Sequence, residues 1–191
     1  MMRAGLDQAA LLEAAAAIAD RDGLKMVTAK ALAERPSIKS PSLYNHFPGG
    51  IEESRQALML YGWQNLQEAM VMAAVGKSGD EAILSICHTY RLYAKNHPGV
   101  FDAMQWYNIY DSDLNLQATQ KLISVIFKVL DAYSLTESQK VHFVRSIRAF
   151  LQGFASIEIH GGYGNPERLE DSFYFAIHAI LNGIKTESEE S

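Results

Sequence analysis

No stretch of this chain alternates apolar and polar residues between hairpin turns, and that narrows the fold more than any single motif. Apolar residues instead return every three or four positions, in runs of roughly 8–25 residues separated by Gly, Pro, Asn and Asp clusters. The pattern predicts an all-α protein of about nine helices. With 191 residues, 48% of them apolar, the chain can bury a sizeable core, which argues against general disorder. Its one cysteine, Cys87, excludes a disulfide framework and a cysteine-based zinc site. Asp7, Gln8 and Glu13 interrupt the Ala-rich start, which therefore matches neither a signal peptide nor a membrane span; a cytoplasmic protein is expected.

The first predicted helix runs from Asp7 to Asp22, with Ala10, Leu11, Ala14 and Ile18 on one stripe and Gly23 as its stop. Thr28 can cap a second, Ala29 to Glu34. Pro36 makes residues 35–39 a turn, and Pro41 suits the first turn of a short third helix, Ser40 to Asn45. Pro48-Gly49-Gly50 breaks the chain before a long fourth helix, Ile51 to Ala74. A fifth is expected from a cap at Asp80 to His97, a sixth from Pro98-Gly99 to Trp106, and a seventh from Asp111 or Ser112 to Tyr133. Thr136 to Gln139 matches a capping box for the eighth, which stops at Gly161-Gly162. Asn165-Pro166 opens the ninth, expected to end at Asn182-Gly183 before a polar, frayed tail.

Three short helices ahead of a long one point to the N-terminal end as the functional one. Ala31, Leu32, Ile38, Leu43 and Phe47 are spaced to build a miniature core that fixes two helices at a steep angle. Ser40, Ser42, Tyr44 and Asn45 are then left outside, small or polar groups suited to a helix lying in the major groove of DNA. Charge divides along the chain: residues 1–58 hold seven basic and seven acidic residues, and the net −5 falls entirely on the remainder. A neutral segment can still bind DNA if its cations face one way, because phosphate contacts are screened within about 8–10 Å.

The stretch LLEAAAAIADRDGLKMVTAKALAE, followed by SPSLYNHFPGG, resembles the N-terminal domain of TetR-family regulators over residues 8–58, with Ser-Leu-Tyr-Asn-His-Phe as its specific core. NHPGVFDAM (96–104) and GFASIEIHGGYG (153–164) resemble the C-terminal domain of one TetR subgroup. The resemblance implies a homodimer whose paired third helices read a pseudopalindromic, double-stranded operator. It further implies a helix-turn-helix DNA-binding domain over 1–50, a ligand-binding and dimerisation domain over 51–185, and a disordered tail over 186–191. By position, Thr28 would cap the second helix and set its hydroxyl on a phosphate. Ser40, Pro41, Ser42 and Asn45 would face base edges or flanking backbone, Tyr44 and His46 would bond phosphates, and Lys30 and Lys39 would add cations. Two departures matter. Pro36-Ser37 stands where the family usually has Leu-Gly, and Gly50-Ile51 replaces the Lys or Arg many members carry at the start of the fourth helix. There the positive end of the helix dipole is expected to act without a side-chain cation, giving weak or salt-sensitive DNA binding.

The last two predicted helices are apolar on two stripes, and a surface helix needs only one. Phe154, Ile157, Phe173, Ile177, Ile180 and Leu181 are the residues expected at a homodimer interface, which the resemblance places in a four-helix bundle. The middle helices carry large adaptable side chains. Tyr61, Met70, Tyr90, Tyr93, Met104, Trp106, Tyr107, Phe127 and Phe150 are candidates to line an effector cavity, suited to a hydrophobic or aromatic molecule. The six histidines lack metal-pair spacing, and neither a His-Glu-x-x-His, a phosphate loop nor a serine elbow is present, so no metal, cofactor or catalytic residue is expected. The sequence thus reads as a one-component repressor relieved by a small effector, not an enzyme. The alternative is a TetR-fold protein with weakened or lost DNA binding that serves as a small-molecule or partner module.

Overall fold

The computed structural model describes residues 8–34, 46–106 and 113–189, and among them it contains eight α-helices and no strand. In chain order these are α1 (Gln8–Asp22), α2 (Ala29–Ala33), α3 (Ile51–Ala74), α4 (Gly79–Asn96), α5 (Pro98–Trp106), α6 (Asp113–Leu130), α7 (Glu137–Ile159) and α8 (Leu169–Glu189), with a 3-10 turn at Leu24–Met26. The expected third helix lies outside the described residues.

Capping chemistry fixes several of these limits as the sequence predicts. Gly23 stops α1 with a positive φ of 93°, a conformation that costs glycine little. The Thr136 hydroxyl accepts the Gln139 N–H while the Gln139 side chain accepts the Thr136 N–H, the reciprocal box expected ahead of α7. At the other end of α7, Gly161 takes φ 68° and the Gly162 N–H donates to the Ile157 carbonyl at 2.8 Å.

Four details differ from expectation. The buried stripe of α1 is Leu11, Ala15, Ile18 and Ala19, leaving Ala10 exposed and Ala14 half-buried. Asp80 lies inside the first turn of α4 rather than capping it, and its carboxylate takes bonds from Tyr133 (2.5 Å) and Lys185 (2.6 Å). Burial alone would raise that carboxyl, but the two bonds outweigh it and hold Asp80 below the usual carboxylate range. α8 begins at Leu169, because the Asn165 side chain accepts the Glu167 N–H at 3.0 Å and closes a local turn instead of opening the helix. It then continues through Gly183 to Glu189.

The chain divides into two compact units. The first comprises Met1–Asn65 with Asn96–Ala118, and among its described residues Leu11, Ile18, Val27, Leu32, Phe47, Leu58 and Phe101 are buried. The second comprises Leu66–Lys95 with Thr119–Ser191. Its core joins α4, α7 and α8 through Phe143, Ile147, Leu151, Phe154, Phe173 and Ile177. Within it the buried Arg91 guanidinium bonds both Glu158 oxygens (2.7 and 2.8 Å) and Glu170 (2.5 Å), and stacks on the Phe173 ring at 4.8 Å. Those bonds, aided by Lys95, hold the Glu158 carboxyl below its ordinary range against the opposing effect of burial.

Candidate functional site

The N-terminal candidates are arranged by a five-residue helix too short to be stable alone. Thr28, extended at φ −126° and ψ 158°, accepts the Ala31 N–H on its hydroxyl at 3.1 Å, so the expected cap of α2 is formed. Thr28 remains exposed, and the Lys30 side chain is 88% exposed with Glu34 no nearer than 4.0 Å. His46 is half-buried beside the fully buried Phe47. Lys39, Ser40, Pro41, Ser42, Tyr44 and Asn45 lie outside the described residues, as do Pro36 and Ser37.

The start of α3 departs from expectation in its electrostatics. Its first turn carries Glu52 and Glu53, and Glu53 Oε2 accepts the Gly49 N–H at 2.6 Å. The positive end of the helix dipole, expected to act on a phosphate, is met first by the chain's own carboxylates. A cation does sit close by. Arg55, one turn in, donates from Nη2 to the Val27 carbonyl at 3.1 Å and from Nη1 to Glu52 at 2.9 Å.

In the same unit α5 is held on two sides. Asp20 of α1 reaches the N-terminus of α5, where Oδ1 accepts the Val100 N–H at 2.9 Å and Oδ2 lies 3.0 Å from His97 Nδ1. A neighbouring helix thus performs the capping that a helix's own N-cap residue usually supplies. A Cβ on Gly99 would fall 1.9 Å from the Ala19 carbonyl oxygen, and one on Gly62 of α3 would fall 2.7 Å from Val100 and 2.9 Å from Met104. Both glycines exist to let α5 approach.

The effector candidates divide between the units. Tyr61 is half-buried and Met104 buried in the first; Trp106 ends α5, and Tyr107 lies outside the described residues. In the second, Met70 and Tyr90 are buried while Tyr93, Phe127 and Phe150 are half-buried. Phe150 joins a ring cluster with Phe154 (5.5 Å) and Phe173 (5.8 Å), which ties it to the core. Burial raises the Tyr90 hydroxyl and pushes the Cys87 thiol up to about 12, so both stay protonated at neutral pH. Gln67, on the same buried face of α3 as Met70, carries an Oε1 with no hydrogen-bond partner among the described residues.

Of the six interface candidates, Phe154, Phe173, Ile177 and Leu181 are buried inside the chain itself, because α7 and α8 use those stripes against each other and against α4. Ile157 (44% exposed) and the half-buried Ile180 face outward, and Phe175, part of the second apolar stripe of the last helix but not one of the six, is 78% exposed. Asp20, Arg55 and Gln67 were also missed. The partners of the first two lie 77–80 and 28 residues away, beyond the reach of helical periodicity. Among the described residues no group of three or more His, Cys, Asp or Glu side chains is placed to hold a metal, and no helix is long and apolar enough to cross a membrane.

A family model for the tetracyclin repressor-like C-terminal domain matches residues 83–180. The HTH-type transcriptional regulator YobS of Bacillus subtilis (strain 168) is 29% identical over 182 residues, covering 95% of this chain and 94% of its own length. A variant of TetR from Acinetobacter baumannii AYE, solved in complex with minocycline, superposes with a TM-score of 0.73 at 16% identity, covering 96% of this chain and 98% of the other. BioQ bound to its double-stranded DNA operator gives 0.69 at 14% identity, covering 94% and 98%. At such identities the likeness to the solved structures is one of fold.

Proposed function

The chain belongs to the TetR family of helix-turn-helix transcriptional regulators, and on that premise we propose that it is a one-component repressor, released from operator DNA by a small, largely apolar effector. The observation that carries the DNA half is the exposed Thr28 and Lys30 on a capped α2 at the head of the chain. Lys39 to His46 would supply the base-reading and phosphate-bonding groups beyond it. Two copies would present them about one duplex turn apart, roughly 34–36 Å, on a pseudopalindrome. Pairing would use the outward faces of α7 and α8, where Ile157 and Phe175 are the large exposed apolar groups and Gly153 leaves room for close approach.

The effector half is supported, within the second unit, by Met70, Tyr90, Tyr93 and Phe127 and by Gln67, whose unmet buried acceptor costs about 1–3 kcal/mol until a donor arrives. TetR of Acinetobacter baumannii takes minocycline and BioQ takes operator DNA, so the fold accommodates both partners. Release would follow if the effector favours a state with altered spacing of the two DNA-binding ends. Only its differential affinity for the two states, typically about 1–3 kcal/mol, can shift them.

A second reading, a TetR-fold module with weakened DNA binding, is favoured by Glu52 and Glu53 at the start of α3. Fluorescence anisotropy with a duplex selected by the chain from a randomised pool decides between the two. Saturable binding that exceeds binding to a random duplex, and falls as salt rises, supports the repressor. A folded dimer that selects no duplex at low salt refutes it and leaves the module.

A further inference from the structure

We propose that Arg55 is a positioning residue for DNA binding: by holding the Val27 carbonyl it sets the start of α2, and with it the Thr28 and Lys30 side chains, against the base of α3. The inference rests on the regulator reading and adds to it a residue for which neither the motif nor its spacing gives a role.

Helical side chains lean toward the helix N-terminus, which carries the Arg55 guanidinium back over the first turn of α3. There Nη2 meets the Val27 carbonyl at 3.1 Å and Nη1 meets Glu52 at 2.9 Å. Val27 is fully buried and its N–H closes the 3-10 turn on the Leu24 carbonyl at 3.1 Å, whereas α2 begins its own ladder one residue later, Leu32 N–H to Thr28 carbonyl at 3.0 Å. The Val27 carbonyl therefore belongs to neither element and needs an outside donor. Val27 and Thr28 are both extended, with ψ of 93° and 158°, so no helical ladder braces the link between the turn and α2. A five-residue helix cannot brace itself either. A charged donor anchored on the 24-residue α3 ties this link, beside the packing of the buried Val27 and Leu32.

Two features separate this role from a direct phosphate contact. The Arg55 side chain is only 23% exposed against 88% for Lys30, and both of its terminal nitrogens are already engaged within the chain. Arg55 also stands in the turn where Ile51 has replaced the expected cation and Glu53 has taken the Gly49 N–H. With the start of α3 neutralised in this way, more of the grip on DNA falls to α2, and a fixed α2 matters more.

The test uses the full chain and a duplex that the wild type selects from a randomised pool, with Arg55→Met, Arg55→Lys and Glu52→Gln. Arg55→Met keeps the aliphatic stem and removes the donors. It should weaken binding about tenfold, the scale of one charge-assisted hydrogen bond. The slope of log affinity against log salt should stay unchanged, and amide exchange at Ala31 and Leu32 should quicken in the free protein. Arg55→Lys should recover part of both effects, and Glu52→Gln, which removes an acidic charge from the start of α3, should not weaken binding. A slope shallower by about 0.9 would mean that Arg55 meets a phosphate itself, overturning the positioning role. Unchanged affinity in a folded Arg55→Met would overturn it as well. Should that variant not fold, Arg55→Lys decides: quickened exchange at Ala31 with wild-type affinity refutes the proposal, and a loss of both supports it. If the wild type selects no duplex, the regulator reading fails, while the exchange arm still reports whether Arg55 holds α2.

Discussion

Replacing Gly99 with alanine adds one methyl group where two helix backbones meet. The new Cβ would lie 1.9 Å from the Ala19 carbonyl oxygen and 2.1 Å from its carbon, and nothing closer than 3.0 Å is found in practice. These are backbone atoms, so no rotamer change relieves them, and α1 and α5 must part by about 1.1 Å. The same displacement would stretch the 2.9 Å bond from the Val100 N–H to Asp20 beyond hydrogen-bonding range and loosen the packing of Phe101, which is fully buried. Overpacking costs about 1–3 kcal/mol and a lost cap about 0.5–2 kcal/mol, against a gain of about 1 kcal/mol for alanine over glycine in a helix. A net loss of about 0.5–4 kcal/mol is expected, against the roughly 5–15 kcal/mol that holds a typical domain. Urea denaturation followed by circular dichroism measures it. Gly62→Ala is the comparison, because its clash is with the Val100 and Met104 side chains, which can shift, so its cost should be the smaller. A Gly99→Ala chain as stable as the wild type, or more stable than Gly62→Ala, would refute the close approach of α1 and α5.

Phe175→Glu should convert a dimer to monomers in sedimentation velocity while leaving helicity intact, since the ring is 78% exposed and its replacement costs an isolated chain within about 0.5 kcal/mol; a persistent dimer would place the interface elsewhere. Glu158 is held below its ordinary range, so its contribution is present above the unfolded carboxyl value of about 4.3 and lost as pH falls through the lower folded value. The gap in urea midpoint between wild type and Glu158→Gln should therefore narrow on acidification below about pH 4.3; a gap that stays constant down to pH 3 would contradict the ion-pair account. Thr136→Ala should lower stability by about 1 kcal/mol through loss of the box ahead of α7, as read by thermal melting, and no loss would mean that the cap contributes nothing.

Local chemistry was legible in the sequence and distant chemistry was not. Gly23, Thr28, Thr136 and Gly161 act within four or five residues of themselves, and each does in the fold what its type and spacing predict. Asn165 misled because an Asx side chain can close a turn as readily as it caps a helix, and the choice depends on the conformation of the next few residues. The two apolar stripes of α7 and α8 were visible, but which of them faces inward depends on where α4 lies. Arg91, buried between Glu158 and Glu170, carries that information, and it reads in the sequence as an ordinary surface cation. At the candidate DNA-binding end the resemblance supplied the residue types, while the ties from Asp20 and Arg55 came only from the fold.

The cap that Asp20 places on α5 also bears on how such a protein can be taken apart and recombined. A chimaera that joins residues 1–58 of this chain to the rest of a relative would separate Asp20 from the Val100 N–H and His97, and would set Ala19 against whatever stands in place of Gly99. The first compact unit, drawn from two stretches of chain, keeps this joint whole. A graft that carries residues 97–106 along with the N-terminal end should fold where the shorter one does not. The boundary between the two compact units therefore runs through the interior of the chain, and an exchange of parts at a single crossover point would miss it.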